Sequence, residues 1–428
     1  MKNKKETLLI LTILITICII IFNRDKLYEA KYTEPKDTLL AITINGEIST
    51  TFPTTKYYET SVECTTGTGK VEWNGTKWVL TTNGITKGST KCNATFITKV
   101  PTFAETILAN NKVKAPITTP GATISTASEA LLASTEDDYG TSYYFRGAVT
   151  NNYVEFANKC WRIVRVGGDG SVKLILHNDN PTGAANPCDA ANNSASAAFA
   201  HYNGSTYTSR FNENYDDNAY IGFKYGTPGS SKYETTHANT NKSTILTNLE
   251  TWYTNNLKTY ESVIDDTVWC NDKTNVTDTS YDPWSITPNG LGYAKNVTYY
   301  GATKRLVGTS GSAGGTGPSL KCNGELSKIN SKVGLITADE LAFAGYAYNI
   351  GNTTTYLQEN ATNTYWWSLS PYGFDVGSAG VWGVNGSAGY FDNYNVRGAI
   401  GVRPSISLKS TTNVTGEGTS SAPYIISM

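Results

Sequence analysis

Six cysteines, Cys64, Cys92, Cys160, Cys188, Cys270 and Cys322, follow an apolar N-terminal run, and no two of them form a C-x-x-C. An even number in an exported chain points to disulfides, whereas a zinc cluster or a thioredoxin-like centre needs closely spaced pairs. Six cysteines allow 15 pairings, and the sequence does not choose among them. The simplest expectation joins chain neighbours: Cys64 to Cys92, Cys160 to Cys188, and Cys270 to Cys322. Each bridge would close a loop of about 30 to 50 residues and contribute roughly 3–4 kcal/mol through loop entropy.

Export itself is read from residues 1–26. Met1-Lys2-Asn3-Lys4-Lys5 is basic, Thr7 to Phe22 is uncharged and almost wholly Leu, Ile and Thr, and Asn23-Arg24-Asp25-Lys26 closes the run. A basic flank, an apolar stretch and a polar exit describe a signal or signal anchor. The run is about 16 residues, somewhat short of the ~20 that span a typical bilayer. No small-x-small cleavage site follows, and Ile15-Thr16-Ile17 before Cys18 does not suit lipidation. The expectation is a single-pass N-terminal membrane anchor helix, with the bulk of the chain extracellular by the positive-inside rule.

The rest of the composition narrows the function. The 428 residues carry Lys+Arg 35 against Asp+Glu 36, a net charge of -1, and no basic run beyond the first five residues, so nucleic acid is not an expected partner. Charged residues are only 17%, replaced by Thr, Asn, Ser, 39 Gly and 28 Tyr, which suits short strands and turns. The three histidines, His177, His201 and His237, form neither an H-E-x-x-H nor a close pair. No cofactor, metal site or catalytic residue is therefore assigned from the sequence.

Along the chain, residues 30–100 read as a small all-β, sandwich-like module. Val71-Glu72-Trp73 and Lys77-Trp78-Val79-Leu80 flank the hairpin signal Asn74-Gly75. Residues 101–142 read as a connector with short helices at 103–110 and 125–133, interrupted by Pro116, Pro120 and Gly121. Residues 143–428 read as the main domain. Cys160 to Val166 and Val172 to Leu176 form a hairpin, and Thr244 to Leu257 carries a helical stripe of Ile245, Leu246, Leu249, Trp252 and Tyr253. Val333 to Ile336 is a buried strand, and Thr337-Ala338-Asp339-Glu340 is a capping box. Strands follow at 365–370, 380–384, 388–391 and 401–408. Two helices among strands indicate an α+β domain.

Several segments carry a resemblance. They include Tyr143-Tyr144-Phe145-Arg146-Gly147, Cys160-Trp161-Arg162-Ile163-Val164-Arg165, Asn218-Ala219-Tyr220-Ile221-Gly222, Trp269-Cys270-Asn271-Asp272, Gly334 to Glu340, Tyr365 to Pro371, and Gly401 to Leu408. Together they span roughly 143–428, and the set resembles a family of uncharacterised exported proteins of low-GC Gram-positive bacteria. The ending from Trp367-Ser368-Leu369-Ser370-Pro371 to Gly401-Val402-Arg403-Pro404 is similar to C-type-lectin-like domains, including ligand-binding proteins diversified by retroelements. That resemblance implies a C-type-lectin-like main domain that displays variable loops. The calcium-sugar motifs E-P-N and W-N-D of animal lectins are absent, and no cysteine follows Cys322 to supply formylglycine-generating chemistry.

The sharpest binding candidate is residues 372–398, with Pro371, Gly373 and Gly377 expected to release the chain from the sheet. It offers Tyr372, Phe374, Asp375, Trp382, Tyr390, Asp392, Asn393, Tyr394 and Asn395, the stiff aromatics and adaptable amides of a binding surface. The alternative is that half of these aromatics pack the sheet. Asp216-Asp217 reads as a solvated turn rather than a calcium loop. Asp339-Glu340 is accounted for by capping and Arg403 by a structural role. The expected function is non-catalytic ligand recognition or adhesion at the cell surface. Its partner would be a protein or glycan ligand on another cell, a phage or the envelope. The alternative is a cell-envelope glycan hydrolase using paired carboxylates.

Overall fold

The structure is a computed structural model that describes residues 39–86, 89–204 and 206–428. The expected anchor over residues 1–26 lies outside the described residues. Among the described residues no helix is long and apolar enough to cross a membrane.

The chain divides after Pro101 into two units. In the first, a sheet runs in the order Glu47–Ser49, Leu39–Ile44, Lys91–Thr98, Tyr58–Cys64, with the central pair parallel. Alternation puts Ile42, Ala94 and Phe96 on the buried face. The hairpin Thr68–Trp73 and Trp78–Asn83 completes the core with Val71, Trp78 and Leu80. Trp78 packs edge-on to Phe96 at 5.3 Å, which joins hairpin to sheet. Asn74 takes the Thr76 and Lys77 N–H groups on its side-chain oxygen, so the turn is a four-residue loop rather than a two-residue one.

The second unit is built on two sheets. The larger has eight strands, in the order Ser405–Leu408, Val172–Asn178, Lys159–Val166, Tyr153–Phe156, Tyr424–Ile426, Val414–Thr415, with Gly140–Gly147 and Ala130–Asp137 branching from Lys159–Val166. The smaller runs Thr208–Ser209, Ile400–Gly401, Trp366–Asp375, Ser378–Asn385, Tyr390–Asn395, with Thr298–Tyr299 added to Trp366–Asp375. One core draws on both sheets, and Trp161, Leu174 and Ile406 share it with Trp366, Trp367 and Val381.

The α+β, C-type-lectin-like expectation is corrected here. The chain is mostly β, with 35% strand and 13% helix, and its helices are short. The helix expected over 125–133 is instead the strand Ala130–Asp137, paired along its length with Gly140–Gly147. Ala and Leu are good helix formers, but cross-strand pairing outweighs a propensity of a few tenths of a kcal/mol per residue. That strand and the helix Phe103–Asn110 belong to the second unit, so 101–142 is not a free connector. Residues 333–336 are buried but make only a single bridge, Gly334 to Ser405. The last strand is likewise divided. Ile400–Gly401 lies in the smaller sheet and Ser405–Leu408 in the larger, because Val402-Arg403-Pro404 crosses between them. Arg403 is buried there and donates to the Leu176 and Leu357 carbonyls, which makes its role structural.

Three helices do follow their sequence signals, and Phe103–Asn110 keeps its expected bounds. Ser243 caps the Leu246 N–H to open Thr244–Asn256, which buries its expected stripe. Thr337 and Glu340 form the capping box of Ala338–Ala344, and Gly345 ends it at φ 119, where an added Cβ would collide with Ser125 Oγ.

Candidate functional site

Residues 372–398 are not a loop. Trp366–Asp375 runs straight through Pro371, and the register shifts on both sides of that residue. Proline has no N–H to give the ladder, and the irregularity absorbs the loss without ending the strand. Ser378–Asn385 and Tyr390–Asn395 complete an antiparallel meander. Tyr372, Phe374 and Trp382 are therefore core residues, with Tyr372 only 3% exposed. Asp375, Tyr390, Asp392, Asn393 and Tyr394 are half-buried and Asn395 is exposed. The Tyr394 ring lies 4.9 Å from Tyr365, tilted by 31°.

One end of this meander gathers aromatic rings and acids. Tyr372 lies 5.4 Å from Trp284, 6.0 Å from Tyr299 and 5.2 Å from Trp382. Tyr348 approaches both Trp284, at 6.0 Å, and Trp382, at 5.7 Å. Gly380 makes room for the Tyr372 ring, which an added Cβ would meet at 3.1 Å. Burial raises both Asp375 and Asp392 above the ordinary carboxylate range. A Tyr372 hydrogen bond opposes this at Asp375, and the Asn393 N–H opposes it at Asp392. Burial, then the Asp375 charge, pushes the Tyr372 hydroxyl far up, with Asp392 adding to it. Tyr299 is pushed up by burial and by Asp375 and Asp282, and Tyr348 by burial and Asp392. No ion pair of the described residues engages Asp375 or Asp392.

A second feature is a cleft of about 270 Å³, lined by five cations and five carboxylates and walled by Cys270 and Cys322. Glu340 Oε1 accepts from Lys173 Nζ at 2.7 Å and from Arg165 Nε at 2.9 Å, and Arg165 Nη1 reaches Asp137 at 2.9 Å. Arg305 grips Asp339 through Nε and Nη2, at 2.6 and 2.8 Å, and Asp272 through Nη1 at 2.7 Å. Burial alone would raise Glu340, but Lys173, Arg165 and the Thr337 N–H pull it down to about 2. Burial opposes the charge on Arg165 and Arg305, and their carboxylates hold both above the ordinary value. Burial lowers Lys173 in spite of Glu340. Tyr139, 60% exposed, stands on the rim.

The cleft was missed in the sequence because its members come from segments spread between residues 137 and 370. A signal was present: Arg162 and Arg165 sit inside an otherwise apolar strand, where a charge must find a partner. Arg162 is buried, bonded to Asn152 and Glu359. The three disulfides join chain neighbours: Cys64 to Cys92, Cys160 to Cys188 and Cys270 to Cys322. Asp217 is not solvated. It caps the turn Asn218–Ile221 through the Ala219 N–H and also takes the Gly229 N–H. His237 is buried, with Nε2 2.7 Å from the Gly292 carbonyl. Burial lowers it to about 3. His201 pairs with Asp179 at 3.1 Å.

No protein-family model, curated protein or solved structure matches this chain.

Proposed function

We propose that this chain is a cell-surface-displayed, non-catalytic recognition protein, held at the membrane by its N-terminal segment. Its partner is a protein or glycan ligand on another cell, a phage or the envelope. Three disulfides and the basic-apolar start support display outside the cytoplasm. The observation that carries the recognition reading is the pair Asp375 and Asp392. Both are half-buried among Tyr and Trp rings, and neither has a cation in any described ion pair. A desolvated carboxylate without a cationic partner is costly to hold, and such groups concentrate at functional sites.

The glycan-hydrolase alternative draws on the charged cleft. A hydrolase needs one carboxyl group raised so that it carries a proton near neutrality. Glu340 is displaced the opposite way, and Asp339 is clamped by both nitrogens of the Arg305 fork. Those pairs suit a rigid floor better than proton transfer.

The test is binding of the full chain to glycan and surface-protein arrays, alongside the double variant Asp375→Asn/Asp392→Asn. Recognition at this face predicts array signals that the double variant loses while its thermal unfolding is unchanged. Release of reducing ends from envelope glycans, abolished in Glu340→Gln, would overturn the reading in favour of the hydrolase.

A further inference from the structure

The same aromatic and acidic face says something about the chemistry of what it holds, and this step rests on the recognition reading above. Three carboxylates surround it: Asp375, Asp392 and Asp282. Asp282 accepts only backbone N–H groups, from Ile286 and Thr287. After burial, the charges that most raise the Tyr299, Tyr348 and Tyr372 hydroxyls are those of Asp375, Asp282, Asp392 and neighbouring tyrosines. Lys304 lies over Tyr281 at 5.8 Å and is engaged with Asp278 at 3.1 Å.

A second observation is independent of the acids. The Tyr299 hydroxyl is completely buried and has no hydrogen-bond partner. Its ring packs edge-on to Trp284 and Tyr372, at 5.4 and 6.0 Å. A buried hydroxyl without a partner costs about 1–3 kcal/mol, and Tyr299 bears that cost within the field of Asp375.

We propose that the half-buried face of Trp284, Tyr348, Asp375 and Asp392, backed by the buried rings of Tyr299 and Tyr372, binds an alkylammonium group carried by the ligand. Aromatic faces attract cations through the ring quadrupole, and they favour weakly hydrated organic cations that shed water at little cost. Carboxylates at the edge then supply the counter-charge. A hard divalent ion calls for six to eight oxygens, and among the described residues no group of three His, Cys, Asp or Glu side chains stands ready to hold a metal.

The experiment titrates the full chain with tetramethylammonium chloride, with tert-butanol as a neutral probe of similar shape and with sodium and calcium chlorides. Tryptophan fluorescence and calorimetry give the readout. The expected result is saturable binding of tetramethylammonium, at least about tenfold tighter than tert-butanol. Asp375→Asn/Asp392→Asn should weaken it by about tenfold or more with the unfolding midpoint unchanged. Trp284→Phe keeps an aromatic face and should retain binding. Equal affinity for tert-butanol, displacement by calcium at lower concentration, or no saturation would each overturn the proposal. The array experiment separates the two readings. Array binding lost in the double variant but not competed by tetramethylammonium refutes the ammonium class and leaves the recognition face standing. Array binding that survives in the double variant refutes both.

Discussion

Arg146 Nε lies 2.9 Å from Glu129 Oε1, and neither side chain has any exposed surface. The guanidinium also reaches the Ala342 and Phe343 carbonyls, at 3.0 Å each, and the Thr118 hydroxyl. Glu129 accepts the Ile117 N–H and the Thr118 hydroxyl as well. Burial would raise Glu129. The Ile117 N–H, Arg146 and Thr118 outweigh it and hold the carboxyl below its ordinary value. The pair thus ties the strands Ala130–Asp137 and Gly140–Gly147 to the end of the helix Ala338–Ala344.

Breaking such a pair leaves a buried charge unpaired, which costs about 3–5 kcal/mol. Arg146→Met is expected to lower stability by that amount in urea unfolding. Arg146→Met combined with Glu129→Gln removes both charges and should cost clearly less than the two single changes added together. Strict additivity would show that the contact carries no coupling.

Glu340 sets an acid limit. Its folded value is about 2 against an ordinary 4.5. The fold therefore favours the ionised form, and the associated stability is present above the ordinary value and lost as pH falls from about 4.5 toward 2. A shift of this size corresponds to about 3 kcal/mol as an order of magnitude. Unfolding free energy measured in half-unit pH steps should fall steeply across that window. Glu340→Gln should flatten part of the slope, since Glu129 contributes in the same direction. An unchanged slope would place the acid sensitivity elsewhere.

The Cys64–Cys92 bridge serves the first unit alone. Among the described residues its core holds six buried side chains, and the two cysteines face each other across Tyr58–Cys64 and Lys91–Thr98. Small cores need such staples, and removing a native disulfide from a small domain typically costs about 2–5 kcal/mol. Cys64→Ala/Cys92→Ala is expected to expose Trp73 and Trp78 to quencher. Trp161, Trp252 and Trp269, buried in the second unit, should stay protected. Loss of protection at all five would contradict separate cores.

What the sequence revealed was local. The helix at 244–256 showed its stripe, and Thr337 and Glu340 showed a capping box. What it hid was long-range. Glu340 reads as a cap because Thr337 is three residues away, whereas Lys173 and Arg165, which set its charge, lie 167 and 175 residues distant. Pro371 reads as a break because the register shift that accommodates it depends on its partner Val381. Asp375 and Asp392 were named as binding candidates from composition alone. Their lack of a cation is a property of the assembled sheet, and so is the presence of Trp284 beside Tyr372.

The turn between Trp366–Asp375 and Ser378–Asn385 offers the last test. Val376 adopts φ 41 and Gly377 φ 78, the left-handed pair that a two-residue hairpin loop demands. Glycine accepts this freely, but a β-branched residue does not, and such strain costs about 1–3 kcal/mol. Val376 recovers nothing by burial, because it is 85% exposed beside Asp375. Asn suits the first position of this turn. Val376→Asn should therefore stabilise the second unit by about 1 kcal/mol, seen as a higher midpoint in thermal unfolding. If its methyl groups also touch the ligand, binding of tetramethylammonium or of an array partner should weaken in the same variant even as stability rises. A drop in stability would show that the turn does not hold the backbone described here.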